Sequence, residues 1–199
     1  MIQPQYLAAY YEKLLRLLQP FLLPELYRNQ LINIAHTLPP LRHGMIELYD
    51  PPLPSRTDLM IGVLDRLEEQ KLLANWPNDP TTVMPEGWPL IREFCSHWSD
   101  TSHLMSSVVE TIYIVYDNAD GGKKVPNPWF YLTLRNLHLG NDSQVDLFMR
   151  SASFFPGSLT KQTRHLLHDC FQALQDDQRI FGFSLLSARG QEDVAFCVQ

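Results

Sequence analysis

The sequence predicts an α+β fold, rich in helix, in which antiparallel β-hairpins pack against helices. Two observations carry that prediction. Val109 to Arg135 divides into two runs of β-branched and aromatic residues, Val109–Tyr116 and Trp129–Arg135. Between them lie Asp117-Asn118-Ala119-Asp120-Gly121-Gly122, all turn-forming types. The order from Pro89 onward is helix, two strands, helix, helix, two strands, which is not the alternation of βα units.

The elements follow from local pattern. Gln5 to Leu18 carries Leu7, Tyr10, Tyr11, Leu14, Leu15, Leu17 and Leu18 at helical spacing, and Pro20 ends the helix. Pro24 suits the first turn of a second helix running to about Thr37, closed by Pro39-Pro40. Gly44 to Tyr49 is a short strand candidate. Pro51, Pro52 and Pro54 then mark a linker or hinge near 50–55. Residues 1–50 are therefore read as an N-terminal helical hairpin region and 55–199 as an α+β region, or the two as one continuous domain. Ser55 and Asp58 have capping-box spacing, which predicts a helix from about Arg56 to Leu73 with Leu59, Met60, Val63, Leu64 and Leu67 inward. Asn75 to Gly87, with three prolines, reads as irregular. Pro89 opens a helix to about Trp98, ahead of the hairpin. Asp142 or Ser143 caps a short helix to about Ala152. Ser158 or Thr160 starts a longer one to about Gln175, with Leu159, Thr163, Leu166, Leu167, Cys170, Phe171 and Leu174 on one face. Arg179–Arg189 and Asp193–Val198 read as a final strand pair.

Composition bounds the function. The hydrophobic fraction of 45% is enough for a packed core. The net charge of −6 argues against nucleic acid and anionic lipid as partners, since both need clustered Lys and Arg. Cys95, Cys170 and Cys197 are odd in number and far apart, which disfavours a disulfide framework and suits a reducing cytosol. No apolar run is long enough to span a bilayer, and Met1 to Gln5 has no basic, apolar leader pattern. The expectation is a soluble cytoplasmic protein. The chain stops on an apolar strand. That pattern fits a truncated piece, a split gene, a strand that a partner or second copy completes, or a chain ending on a central strand.

The two faces of the hairpin differ. Ile112, Ile114, Phe130, Leu132 and Leu134 share one; Thr111, Tyr113, Trp129, Tyr131, Thr133 and Arg135 share the other. The second set is either a binding face or a second core face. On the binding reading, Tyr113, Trp129 and Tyr131 form the platform, and Arg135 with Arg189 supplies anion contacts. Two clusters resemble metal ligands in residue type: His165, His168 and Cys170, and Cys95, His97 and His103. The first is the more ligand-like in spacing, but Cys170 is rotated away from His165 on the helix; the second matches no standard zinc pattern, so no metal site is expected. Pro156-Gly157-Ser158 lacks the nucleophile-elbow pattern, and Cys95 with His97 or His138 is a dyad only if the fold joins them. Gly121-Gly122-Lys123-Lys124 lacks the remaining residues of a phosphate loop, and no cofactor is implied.

Two family likenesses bear on function. Val63 to Leu73 resembles the end of the recognition helix in winged-helix DNA-binding proteins. It departs from that pattern at Gln70-Lys71, where Gly is expected, and a Pro-rich loop stands where the wing would be. The helix–strand–strand–helix order resembles the repeat of αββα-barrel aromatic prenyltransferases. That likeness implies a pocket in which Tyr113, Tyr131, Arg135 and Arg189 hold a pyrophosphate. The leading expectation is a non-catalytic accessory protein that binds a protein or peptide. The alternative is an enzyme with a geometry-defined pocket of aromatic and Arg residues, such as a group transferase acting on a small anionic or aromatic molecule. Winged-helix-like DNA binding is the minor alternative.

Overall fold

A computed structural model describes residues 6–17, 25–41, 43–48, 57–64, 66–78, 84–85, 87–117, 128–135, 145–146, 149, 160–175, 178, 180–185 and 194–198. Among these residues the fold is α+β, with six helices and one antiparallel sheet. The helices are α1 (Tyr6–Leu17), α2 (Glu25–Thr37), α3 (Leu67–Ala74), α4 (Trp88–Ser99), α5 (Leu104–Val108) and α6 (Lys161–Gln172). The strands are β1 (Met45–Leu48), β2 (Thr57–Leu64), β3 (Val109–Asp117), β4 (Pro128–Leu134), β5 (Ile180–Leu185) and β6 (Val194–Val198). Each strand pairs antiparallel with the next, in the order β1-β2-β3-β4-β5-β6. The described sheet is thus one six-stranded meander rather than two separate hairpins.

The helix expected over 56–73 is corrected to a strand followed by a short helix. Leu59, Ile61 and Val63 are fully buried and alternate with Met60 and Gly62. That is a period of two, and β-branched Ile61 and Val63 suit it. Gly62 weakens a helix by about 1 kcal/mol relative to Ala. Pairing to β1 on one side and β3 on the other then favours the strand. Asp58 sits on this strand, so it caps no helix, and Leu67, expected inward, is exposed. The segment that resembles a recognition helix is divided between β2 and α3.

The helices cover one face of the sheet. Leu59, Ile61, Val63, Ile112, Ile114, Tyr116 and Leu132 join one buried cluster with Tyr11 and Leu15 of α1, Leu31 and Ile34 of α2, and Ile91, Phe94 and Trp98 of α4. Leu167 and Phe171 add α6 to the same cluster. Three indoles fasten the connections as they pack. Trp76 Nε1 donates to the Thr37 carbonyl at 2.9 Å, Trp88 Nε1 to the Trp76 carbonyl at 2.8 Å, and Trp98 Nε1 to the Val109 carbonyl at 3.2 Å. Each bond gives a buried or part-buried N–H its partner and ties a helix end to a loop or strand.

Several expected faces are narrower than their spacing suggested. On α1, Tyr11 and Leu15 are buried while Tyr10 and Leu17 are exposed. On α6, Leu167 and Phe171 are buried, whereas Leu166 and Cys170 face solvent. The C-terminal strand is not central: β6 is an edge of the described sheet. The Pro51–Pro54 hinge, the hairpin turn beyond Asp117 and most of the helix expected over 142–152 lie outside the described residues.

Candidate sheet-face groove

The sheet face turned away from the helical cluster carries the candidate site. On β3 and β4 the register sets Tyr113 opposite Tyr131 and Thr111 opposite Thr133, with Trp129 opposite Val115. Alternation along both strands puts all six on that face. The face holds a groove of about 490 Å³. Tyr113, Trp129, Tyr131 and Thr133 line its centre, Met45 and Met60 its β1–β2 side, and Phe181 its β5 side. Tyr113, Trp129, Tyr131, Thr133, Met60 and Phe181 are half-buried, and Met45 is exposed. Val115, Thr111 and Ser184 are buried on the same face.

Two glycines let the tyrosine rings lie low across neighbouring strands. Gly62 is the cross-strand partner of Tyr113, and a Cβ there would meet Tyr113 Cε1 at 3.2 Å. Gly182 is diagonal to Tyr131, and a Cβ there would crowd the Tyr131 hydroxyl and ring carbon Cζ. The Tyr113 and Tyr131 ring centroids are 5.6 Å apart with planes tilted by 45°. This lies within the range of favourable aromatic pairs.

The seven described residues that line the groove carry no charge at neutral pH. His43 comes near its floor, with its Cβ 3.9 Å from where a Cβ on Gly62 would lie. Burial pushes the Tyr131 phenol well above its ordinary range, helped by a hydrogen bond to the Cys197 thiol and by the nearby Tyr113 phenol. Its hydroxyl therefore stays protonated through the physiological range. Arg135 does not line the groove; its backbone N–H donates to the Val108 carbonyl at 2.9 Å as the chain leaves β4. Arg189 lies outside the described residues.

The other clusters do not assemble into sites. Cys95 is fully buried among apolar side chains of α4, and burial pushes its thiol up, away from nucleophilic thiolate. The His97 and His103 rings lie in contact, with centroids 4.7 Å apart and planes tilted by 38°. His103 Nδ1 accepts the Met105 N–H at 3.3 Å, which caps α5. Asp100, between them in sequence, accepts two hydrogen bonds from Ser102, which with the neighbouring imidazoles hold its carboxyl below the usual range. His165 and His168 are exposed on α6, and His165 Nε2 stands 3.8 Å from Asp169 Oδ2 one turn on. Among the described residues no three His, Cys, Asp or Glu side chains come together as a metal site. His138, Gly121-Gly122-Lys123-Lys124 and Pro156-Gly157-Ser158 lie outside the described residues.

Met45, Met60 and Phe181 were not foreseen as part of this face. Met60 belonged to the segment read as helix. Phe181 enters the groove beside a register shift between Ile180 and Gly182, which no sequence period announces. Gly62 and Gly182 were the available signal, since isolated glycines within strands often mark close approach by another group. No family model, no curated protein and no solved structure matches the chain.

Proposed function

We propose that this is a non-catalytic binding protein whose sheet-face groove takes a segment of a partner protein or peptide. The observation that carries the reading is an open apolar groove of about 490 Å³ on the sheet face away from the helical core. Ligand sites are typically concave and mostly apolar, with a few polar groups for orientation. Here Thr133 and the two phenols supply those groups. Acid–base or phosphoryl chemistry needs ionised or titratable groups at the reacting atoms, and the described lining residues offer none suited to neutral pH. The three cysteines are free thiols, which suits the cytoplasm.

A photo-crosslinking side chain at Thr133 tests the reading in cells that express the protein, with the same group at exposed Lys161 on α6 as control. One polypeptide segment should crosslink at 133 and not at 161, and a synthetic copy of it should bind the purified protein. Trp129→Ala should weaken that binding by tenfold or more, about 1.4 kcal/mol. Its stability should change by less than the 3–5 kcal/mol typical of truncating a core aromatic. Equal labelling at both positions, or a core-sized loss of stability in Trp129→Ala, would overturn the proposal.

A further inference from the structure

We infer that the groove is an anchor pocket for an uncharged planar aromatic side chain presented by the partner segment. The inference rests on the binding reading above and narrows it to one chemistry. Three features of the groove favour a flat ring over a branched aliphatic group or a charged one.

The first is the floor. Gly62 and Gly182 remove the Cβ atoms that would hold Tyr113 and Tyr131 away from the neighbouring strands. The two rings therefore form a shallow, tilted pair rather than a row of knobs. A third ring can meet such a pair edge-on or offset, the arrangements aromatic groups prefer. The second is the wall. Met45 and Met60, cross-strand partners on β1 and β2, put two thioethers beside the tyrosines. Methionine sulfur makes favourable contacts at ring edges and adapts its shape to them. The third is charge. The described lining has no ionised group, so a charged side chain would lose hydration and gain no partner among these residues. Thr133 and the phenols still allow a single polar atom, such as an indole N–H or a phenol oxygen, to be satisfied.

The probe is a set of capped Ala-Xaa-Ala tripeptides with Xaa as Trp, Phe, Leu or Glu, together with free indole. The readout is the methyl NMR spectrum of the full chain labelled at methionine, with Met45→Leu and Met60→Leu assigning the two groove signals. The Trp and Phe peptides should shift both signals saturably through ring currents. They should bind at least fivefold more tightly than the Leu peptide, and the Glu peptide should not bind. Gly62→Ala, which forces the Tyr113 ring to move by a few tenths of an ångström, should weaken the Trp peptide several-fold in a folded protein. Thr133→Arg should abolish binding.

Equal affinity for the Leu and Trp peptides would overturn the aromatic preference and leave the binding reading standing. Binding of indole without binding of the tripeptides would overturn both, because the ring would then come from a small molecule. No shift with any probe up to its solubility limit would overturn the anchor pocket. The crosslink at Thr133 would then decide the binding reading separately.

Discussion

A Cβ at residue 182 would lie 2.5 Å from Tyr131 Oη and 2.8 Å from the Leu132 carbonyl oxygen. The first neighbour is the end of a side chain and can swing away. The second is backbone of the adjacent strand and cannot move without disturbing the β4–β5 ladder. At Gly62 the nearest atom, at 3.2 Å, is the edge of the Tyr113 ring, and the other neighbours are ordinary contacts. The two glycines should therefore answer differently to the same substitution. Gly182→Ala is expected to cost about 1–3 kcal/mol, as overpacking does. Gly62→Ala should be near neutral, because the small crowding is offset by the entropy that Gly loses on folding, about 0.5–1 kcal/mol. Urea denaturation of the two variants checks this. Equal losses would mean that the backbone contact at Leu132 does not control the response.

At the level of elements, burial distinguishes two helices of the same length. In α4, Trp88, Ile91, Phe94, Cys95 and Trp98 are all buried. In α6, Leu167 and Phe171 are the buried residues, among a described surface of Lys161, Gln162, Arg164, His165, Leu166, His168, Asp169 and Cys170. Local opening of α6 exposes little apolar area, so it should be far easier. Native-state hydrogen exchange is expected to show α6 amides exchanging at least tenfold faster than those of α4, and similar protection would sink the distinction. Part of this difference was legible in sequence, since α4 holds Trp88, Leu90, Ile91, Phe94, Cys95 and Trp98, whereas α6 sets Leu166, Leu167, Cys170 and Phe171 among polar and charged residues. The spacing of α6 also marked Leu166 and Cys170 as inward, but both are exposed, while Leu167 and Phe171 join the core cluster and Leu174 packs against it. The hairpin was legible because alternation over β3 and β4 is long and bounded by turn residues, so both faces follow from period alone. β2 was not, because Leu59, Met60, Val63, Leu64 and Leu67 also satisfy helical spacing. Only pairing with β1 and β3, which is remote in sequence, settles it. The candidate groove was half legible for the same reason. Tyr113, Trp129 and Tyr131 come from one hairpin, while Met45, Met60 and Phe181 are brought by strands whose register a local pattern does not contain.

For the whole molecule, the buried cluster runs without a break from Tyr11 on α1 to Ile180 on β5. If that cluster is one cooperative unit, groups buried in different elements should be lost together. Tyr11, Tyr116 and Cys95 test this, since they lie on α1, β3 and α4. Burial raises all three, the phenols from 10.0 and the thiol from 9.0. A raised value means that the folded state holds its proton at a pH where the unfolded chain has released it. Stability is then full below the unfolded values and falls as pH rises through them, at about 1.4 kcal/mol per pH unit for each group. The free energy of unfolding should change little between pH 7 and 8 through these groups. It should decline from about pH 9, where the thiol begins to count, and more steeply above pH 10, where both phenols join together with the raised Tyr131 phenol of the groove. Tyr116→Phe should flatten the steeper limb. It should also stabilise the protein slightly at pH 7, because the buried Tyr116 hydroxyl has no hydrogen-bond partner among the described residues. Far-UV dichroism reports all the helices, including α1 and α2, whereas fluorescence reports Trp76, Trp88, Trp98 and Trp129 in the middle of the chain. Coincident urea transitions by the two probes at each pH would show one unit. A dichroism loss that precedes the fluorescence change would mean that the N-terminal helices unfold separately, as a hinge at the Pro cluster requires.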